Sequence, residues 1–256
     1  MGTHIVYIDD LENLVTKKDS SLLLANSLKK SGENVKILFK NDLCISSRGN
    51  LGLNGFDFDS DLDDDFYIKN FKITKPYKIN CDKDVIFHMR LEPPFDLSYM
   101  RSLWMLNFLR ETFGCQVINS PNAILKNNEK ITSFYVKNHI DTFIGSSSDL
   151  FLQAIRNYRD ENYKSIIIKP IDLFQGIGVM KFLLGNKELA LQNAFEQMVK
   201  KFNGPVLVQP FMDEVLSGEI RAIYYKSQLI GAIKKVPNEG SYLANIAQGA
   251  TFSKVD

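Results

Sequence analysis

The stretch Ser165-Ile166-Ile167-Ile168-Lys169-Pro170-Ile171-Asp172-Leu173-Phe174-Gln175-Gly176-Ile177-Gly178-Val179 decides how the chain reads. Three consecutive isoleucines suit a short buried strand, and Pro170, with no ladder N–H, stops it. The strand closes on Lys169, which either snorkels at a strand end or reaches a phosphate as a point charge. The next loop carries Gly176 and Gly178, and a Gly-x-Gly between strands lets backbone amides approach phosphate oxygens. It is neither a Walker A loop nor a Rossmann fingerprint, because it leads into a strand rather than a helix.

Downstream, the pattern predicts a strand over 179–184, a helix over 187–202 and a strand Val206-Leu207-Val208-Gln209. That strand runs into Pro210-Phe211-Met212, a junction able to present backbone groups to a flat heterocycle between two lobes. An antiparallel hairpin is expected over 220–225 and 228–235, opened by Gly218-Glu219-Ile220-Arg221. Strand alternation puts Glu219 and Arg221 on one face, as a surface ion pair or with Arg221 free to hold phosphate or carboxylate bidentately. The tail, 237–256, reads as irregular. Upstream come a lysine-bearing helix near 128–137, a strand over 142–144 and a helix from Ser148 to Tyr158.

The first 40 residues read as strand, helix, strand: His4 to Ile8, then Leu22, Leu24, Ala25 and Leu28 behind a cap at Asp19 or Ser20, then Val35 to Phe39. Such a βαβ start predicts a parallel sheet. A further strand covers 84–89. Asp96 caps a helix running to Phe113, with Leu97, Met100, Trp104 and Phe108 as its expected core stripe and Gly114 as its stop. Between these, residues 41–82 are broken by Gly49, Gly52 and Gly55 and suit hairpins or an excursion from the core. Asp57, Asp59, Asp61, Asp63, Asp64 and Asp65 read as a solvated acidic loop. An EF-hand beginning at Asp57 would need Gly and Glu where Leu62 and Ile68 stand. A composition shift at Ser120-Pro121-Asn122 marks a domain boundary, dividing this α/β chain into 1–120, 121–204 and 205–256.

The 256 residues carry 31 Lys and Arg against 30 Asp and Glu, so a dedicated nucleic-acid partner is not expected. No apolar run approaches the ~20 residues of a membrane span. Cys44, Cys81 and Cys115 are too scattered in sequence for a disulfide framework or a metal motif, which suits a reduced, cytoplasmic setting.

Taken in order, the helix lysine, strand-end lysine, glycine loop, strand with linker, Glu-x-Arg hairpin and Asn-containing loop resemble the ATP-grasp superfamily, and more closely prokaryotic glutathione synthetase. Lys17-Lys18-Asp19-Ser20-Ser21 is similar to that family's segment after its first strand. Met89-Arg90-Leu91-Glu92-Pro93-Pro94-Phe95-Asp96 is similar to its Met-Arg-Lys-Asp-Pro-Pro-Phe-Asp motif, the most specific match. Asn119-Ser120-Pro121, Asn128-Glu129-Lys130, Ile168-Lys169-Pro170-Ile171-Asp172 and Val208-Gln209-Pro210-Phe211 continue the likeness.

The resemblance implies a parallel-sheet pre-ATP-grasp domain followed by a two-lobed α+β ATP-grasp domain. It implies joining of γ-glutamylcysteine to glycine with ATP and Mg²⁺ through an acylphosphate, in a homo-oligomer. Lys130 and Lys169 would then hold ATP phosphates, with Gly176 and Gly178 covering them. Gln209, Phe211 and Met212 would form the adenine hinge, and Glu219 would bind the ribose. Arg221, Lys235 and Asn245 would serve the transferring phosphoryl group. Three departures stand out. Leu243, in Leu243-Ala244-Asn245-Ile246-Ala247-Gln248-Gly249-Ala250, occupies an arginine position; Lys235 replaces another arginine; and Leu173-Phe174-Gln175-Gly176 replaces Gly-Met-Gly-Gly. By the same resemblance the chain is expected to end ahead of the family's metal ligands, leaving the last lobe incomplete. A ligase for another carboxylate and amine, or a nucleotide-binding protein without catalysis, remain alternatives.

Overall fold

A computed structural model describes residues 2–47, 52–245 and 248–255, arranged as two compact units, 1–128 and 129–256. Gly49, Ile246 and Ala247 lie outside the described residues.

The first unit contains β1 (Thr3–Ile8), α1 (Ser20–Lys30), β2 (Asn34–Phe39), β3 (Gly52–Leu62), β4 (Ile68–Asn80), β5 (Val85–Met89), α2 (Leu97–Phe113), β6 (Gln116–Ile118) and α3 (Pro121–Lys126). Its sheet has the order β4-β3-β2-β1-β5-β6. The parallel sheet expected from the βαβ start is present in β2, β1, β5 and β6. The whole sheet is mixed, however, because β3 and β4 form a long antiparallel hairpin joined to β2 through Ile37 and Phe56. Strand β1 is buried on both faces: Ile5 and Tyr7 enter one core, Val6 and Ile8 the other. Helix α1 starts where Asp19 Oδ1 accepts from Ser21 N and Leu22 N, both at 2.8 Å.

Two expectations for this unit are corrected. The acidic run is not a loop throughout: Asp57, Asp59 and Asp61 lie on β3. There Asp57 pairs with Lys36 and Asp59 with Lys29, while Asp63 in the turn pairs with Lys17. Backbone N–H donors, Tyr67 first, hold the Asp63 carboxyl below the usual carboxylate range. In α2 the core stripe is Leu103, Leu106 and Leu109, while Trp104 is 52% exposed and Leu97 and Phe108 also face outward. Apolar residues surround this helix, so periodicity does not select a face; packing on the sheet does.

The second unit contains β7 (Phe143–Gly145), α4 (Ser148–Asp160), β8 (Ser165–Pro170), β9 (Met180–Leu183), α5 (Glu188–Phe202), β10 (Val206–Pro210), β11 (Glu219–Tyr225), β12 (Gln228–Val236) and β13 (Thr251–Val255). One antiparallel sheet runs β7-β10-β8-β9 and the other β11-β12-β13. Helices α4 and α5 build the core of the first, where the Phe151 and Phe195 rings stack 4.2 Å apart.

The helix expected near 128–137 does not form. Pro121 instead starts the short α3, whose Ile124 and Leu125 pack on the first unit's core, so that unit extends past 120. Only a 3₁₀ turn, Thr132–Tyr135, follows, because Ile131, Phe134, Tyr135 and Val136 are exposed and offer no buried face to stabilise a helix. The tail is not wholly irregular, since β13 pairs with β12. Strand β10 belongs to the β7–β9 sheet, so the passage to the last sheet comes after Pro210 rather than at 205.

Candidate functional site

A cavity of about 270 Å³ in the second unit is lined by residues of both sheets and of the tail. It gathers six of the sequence-selected residues: Lys169, Gln209, Phe211, Met212, Glu219 and Asn245. Its size lies near the lower end of ordinary small-molecule sites.

Lys169 opposes Leu207 in the β8–β10 ladder, which anchors its backbone while the side chain enters the cavity. Burial, and then the nearby Lys130 charge, push its pKa below that of an ordinary lysine. A cation disfavoured in this way gains when an anion arrives to neutralise it. Gln209 Nε2 donates to Thr142 Oγ1 at 2.7 Å, which fixes the side-chain amide at the wall. Phe211 is held by its N–H to Ser165 O at 2.9 Å. Its ring meets Tyr242 edge-on at 6.1 Å and carries Lys181 Nζ 3.4 Å from its centroid. Together with Met212, Leu243 and Val179 it supplies an apolar wall.

Glu219 comes from β11 and ion-pairs with Lys235 directly across the ladder. Lys235 is only 5% exposed, so its charge is committed to Glu219. Arg221 faces outward two pairs further on, opposite Ile233, and does not line the cavity.

Lys130 Nζ lies outside the cavity lining and donates to the carbonyls of Ile171 (3.2 Å) and Leu173 (2.7 Å). Gly176 has φ 79°, and a Cβ there would sit 2.8 Å from Asn245 Oδ1; it brings the loop against the cavity wall. Gly178 serves a different purpose: a Cβ would sit 2.7 Å from Phe202 Cζ, so its bareness permits packing against the end of α5.

Sequence reasoning missed Tyr242, whose hydroxyl donates to Val179 O at 3.2 Å, and Lys181 over Phe211. Tyr242 sat in a tail with no periodicity, and nothing local to Lys181 distinguishes it from a surface lysine. Among the described residues no group of three or more His, Cys, Asp or Glu is placed to hold a metal. No helix among them is long and apolar enough to cross a membrane.

The arrangement can seat a flat, partly apolar ligand against Phe211 and Met212 and an anionic group near Lys169. The family model for the prokaryotic glutathione synthetase N-terminal domain matches residues 3–124, and that for the prokaryotic glutathione synthetase ATP-grasp domain matches residues 129–256. The glutathione synthetase of Wigglesworthia glossinidia brevipalpis is 26% identical over 248 residues, 96% of this chain and 75% of its own. Among solved structures, a D-cycloserine synthetase superposes with a TM-score of 0.62 at 13% identity, covering 99% of this chain and 75% of the other. The D-alanyl-alanine synthetase A of Vibrio cholerae gives 0.53 at 16%, covering 98% and 73%. At such identities these structures show the fold alone, and it is the ATP-grasp α/β fold.

Proposed function

Because the chain belongs to the prokaryotic glutathione synthetase family, whose ATP-grasp ligases use ATP and Mg²⁺, we propose that it binds ATP in the 270 Å³ cavity and joins γ-glutamylcysteine to glycine. The single observation carrying this reading is the convergence of Lys169, Gln209, Phe211, Met212, Glu219 and Asn245 on one cavity from three separate chain segments.

In this reading the adenine lies against Phe211 and Met212, and Glu219, oriented by Lys235, meets the ribose. Lys169 faces the phosphates, where its charge is least costly once paired with an anion. A carboxylate is a poor acyl donor because oxide is a poor leaving group. Attack of the γ-glutamylcysteine carboxylate on the terminal phosphorus of ATP releases ADP and leaves an acylphosphate. The glycine amine then attacks the acyl carbon, phosphate departs, and the amine loses a proton. The resemblance would give Arg221 the charge developing at the transferring phosphoryl group, but its side chain faces outward and does not line the cavity, so no step is assigned to it. The described residues supply no ligand set for Mg²⁺, so no step is routed through it. The setting is cytoplasmic and the assembly homo-oligomeric by the same reading.

The test is phosphate release from ATP and Mg²⁺ in the presence of γ-glutamylcysteine, with and without glycine. Glycine-dependent release is expected. One observation favours a second reading: Leu243, at a family arginine position, lines the cavity with an apolar side chain, which suits a different carboxylate. Release that ignores glycine but depends on another amine would select that reading. ATP binding without turnover under any pairing would leave a binding protein.

A further inference from the structure

The fold of the first unit brings together two cysteines that lie 34 residues apart in sequence. Cys81 leaves the β3–β4 hairpin and leads into β5; Cys115 follows α2 and leads into β6. Strands β5 and β6 are parallel neighbours with Ile86 opposite Gln116, so the segments entering them run side by side at one end of the sheet. The turn before β5 is fixed by Asp84 N donating to Asp82 Oδ1 at 2.8 Å and by Val85 N donating to Asp82 O at 3.2 Å. The other segment closes on it: a Cβ on Gly114 would lie 3.7 Å from Lys83 Cβ. Cys115 is 2% exposed within the unit's larger core cluster, and Cys81, partly buried, packs against the same cluster.

Donors converge on the Cys115 sulfur: the Cys81 thiol first, then the backbone N–H groups of Cys115 and Asp82. A neutral thiol is a weak acceptor and a thiolate a strong one, so this convergence suits a charged sulfur. The Cys81 hydrogen bond holds Cys115 below the ordinary thiol value, and the same bond, with burial, pushes Cys81 up. A cysteine that only filled space would need none of these donors. Cys44 is exposed and acts on Cys81 through charge alone.

We propose that Cys81 and Cys115 form a reversible disulfide when a low-molecular-weight disulfide reaches the partly exposed Cys81. Within the singly charged pair the shared proton moves to Cys115, and the Cys81 thiolate attacks one sulfur of the reagent. The reagent's S–S bond breaks and one thiolate leaves. Cys115 then gives its proton to the medium and attacks the Cys81 sulfur, expelling the second thiolate. Counted as thiols, the two cysteines lose two electrons and two protons, and the reagent becomes two thiols. The new bond joins the exit of the hairpin to the end of α2, and a thiol in excess reverses it, as suits a reducing compartment. The pair belongs to the first unit and does not depend on the nucleotide reading.

The experiment exposes the full reduced chain, in native buffer, to hydroxyethyl disulfide. Remaining thiols are blocked with iodoacetamide in urea and the protein is cut with trypsin, which leaves Cys44, Cys81 and Cys115 on separate peptides. The Cys81 and Cys115 peptides are expected joined, about 2 Da lighter than their sum, and parted again by dithiothreitol. In the native chain this linkage should exceed a Cys44–Cys81 linkage at least about ten-fold. With the oxidant added in urea the two should form about equally, because separations of 34 and 37 residues close loops at similar cost. Equal yields of the two linkages in the native chain overturn the proposal. So does full alkylation of both Cys81 and Cys115, or an adduct that stays on Cys81 beside an alkylated Cys115.

Discussion

The two sheets of the second unit are both antiparallel, yet they are supported differently. The β7-β10-β8-β9 sheet rests on α4 and α5, and its core includes Phe151, Ile155, Ile166, Leu191, Phe195 and Val208. Among the described residues the β11-β12-β13 sheet contributes none to the three buried clusters, and Ile220 and Ile230 are each 66% exposed. A sheet gains independent stability from a hydrophobic face or a packed helix. Residues on the first sheet are therefore placed by a core, whereas on the second they depend on cross-strand pairs. Lys169 and Gln209 are of the first kind; Glu219 is of the second, held by Lys235.

The widest gap should appear in stability. Phe195→Ala is expected to cost about 3–5 kcal/mol by urea unfolding, against less than about 1 kcal/mol for Ile223→Ala on the unsupported sheet. Similar costs would break the comparison. Next in size is Glu219→Gln, which strands the Lys235 ammonium in a site only 5% exposed. It should destabilise by about 2 kcal/mol, less than a fully buried pair because Glu219 is partly in water. Arg221→Gln, on the same strand, should stay within about 0.5 kcal/mol. Equal effects would show that the Glu219–Lys235 pair organises nothing.

At Lys169, on the core-backed sheet, function and stability oppose each other. Burial and Lys130 depress its pKa, so the folded state holds its proton less tightly than the unfolded chain does. Wild-type stability should accordingly rise with pH between the depressed folded pKa and the unfolded lysine value, as the unfavourable charge is lost. Lys169→Met should remove that rise and stabilise the neutral-pH protein by about 1 kcal/mol. The same change should weaken ATP at least about ten-fold, the loss of one charge-assisted hydrogen bond. Thermal unfolding across pH and ATP titration would check both; a destabilised variant with intact ATP affinity would refute the assignment.

Much of the fold was legible because its signals are local. Asp19 and Asp96 cap their helices as read, and Gly114 ends α2 in the left-handed region. Lys169 sits near the end of its strand, and the Glu219–Arg221 hairpin forms where alternation placed it. The exposed Trp104 face and the absent helix at 128–137 were misread because burial, not propensity, chose between equally plausible local states. The acidic run likewise became a strand because lysines on α1 and β2 neutralise it from outside the segment.

The amino-acid sequence by itself determined the α/β alternation, the caps, the strand-end lysine and the family. These depend on interactions within a few residues or on motif order. Tertiary structure alone decided that Glu219 faces Lys235, that Tyr242 and Lys181 brace Phe211, and that Lys130 and Gln248 grip one loop from positions 118 residues apart in sequence. Such contacts depend on strand register and on which surfaces are left to bury, neither of which any local stretch of chain encodes.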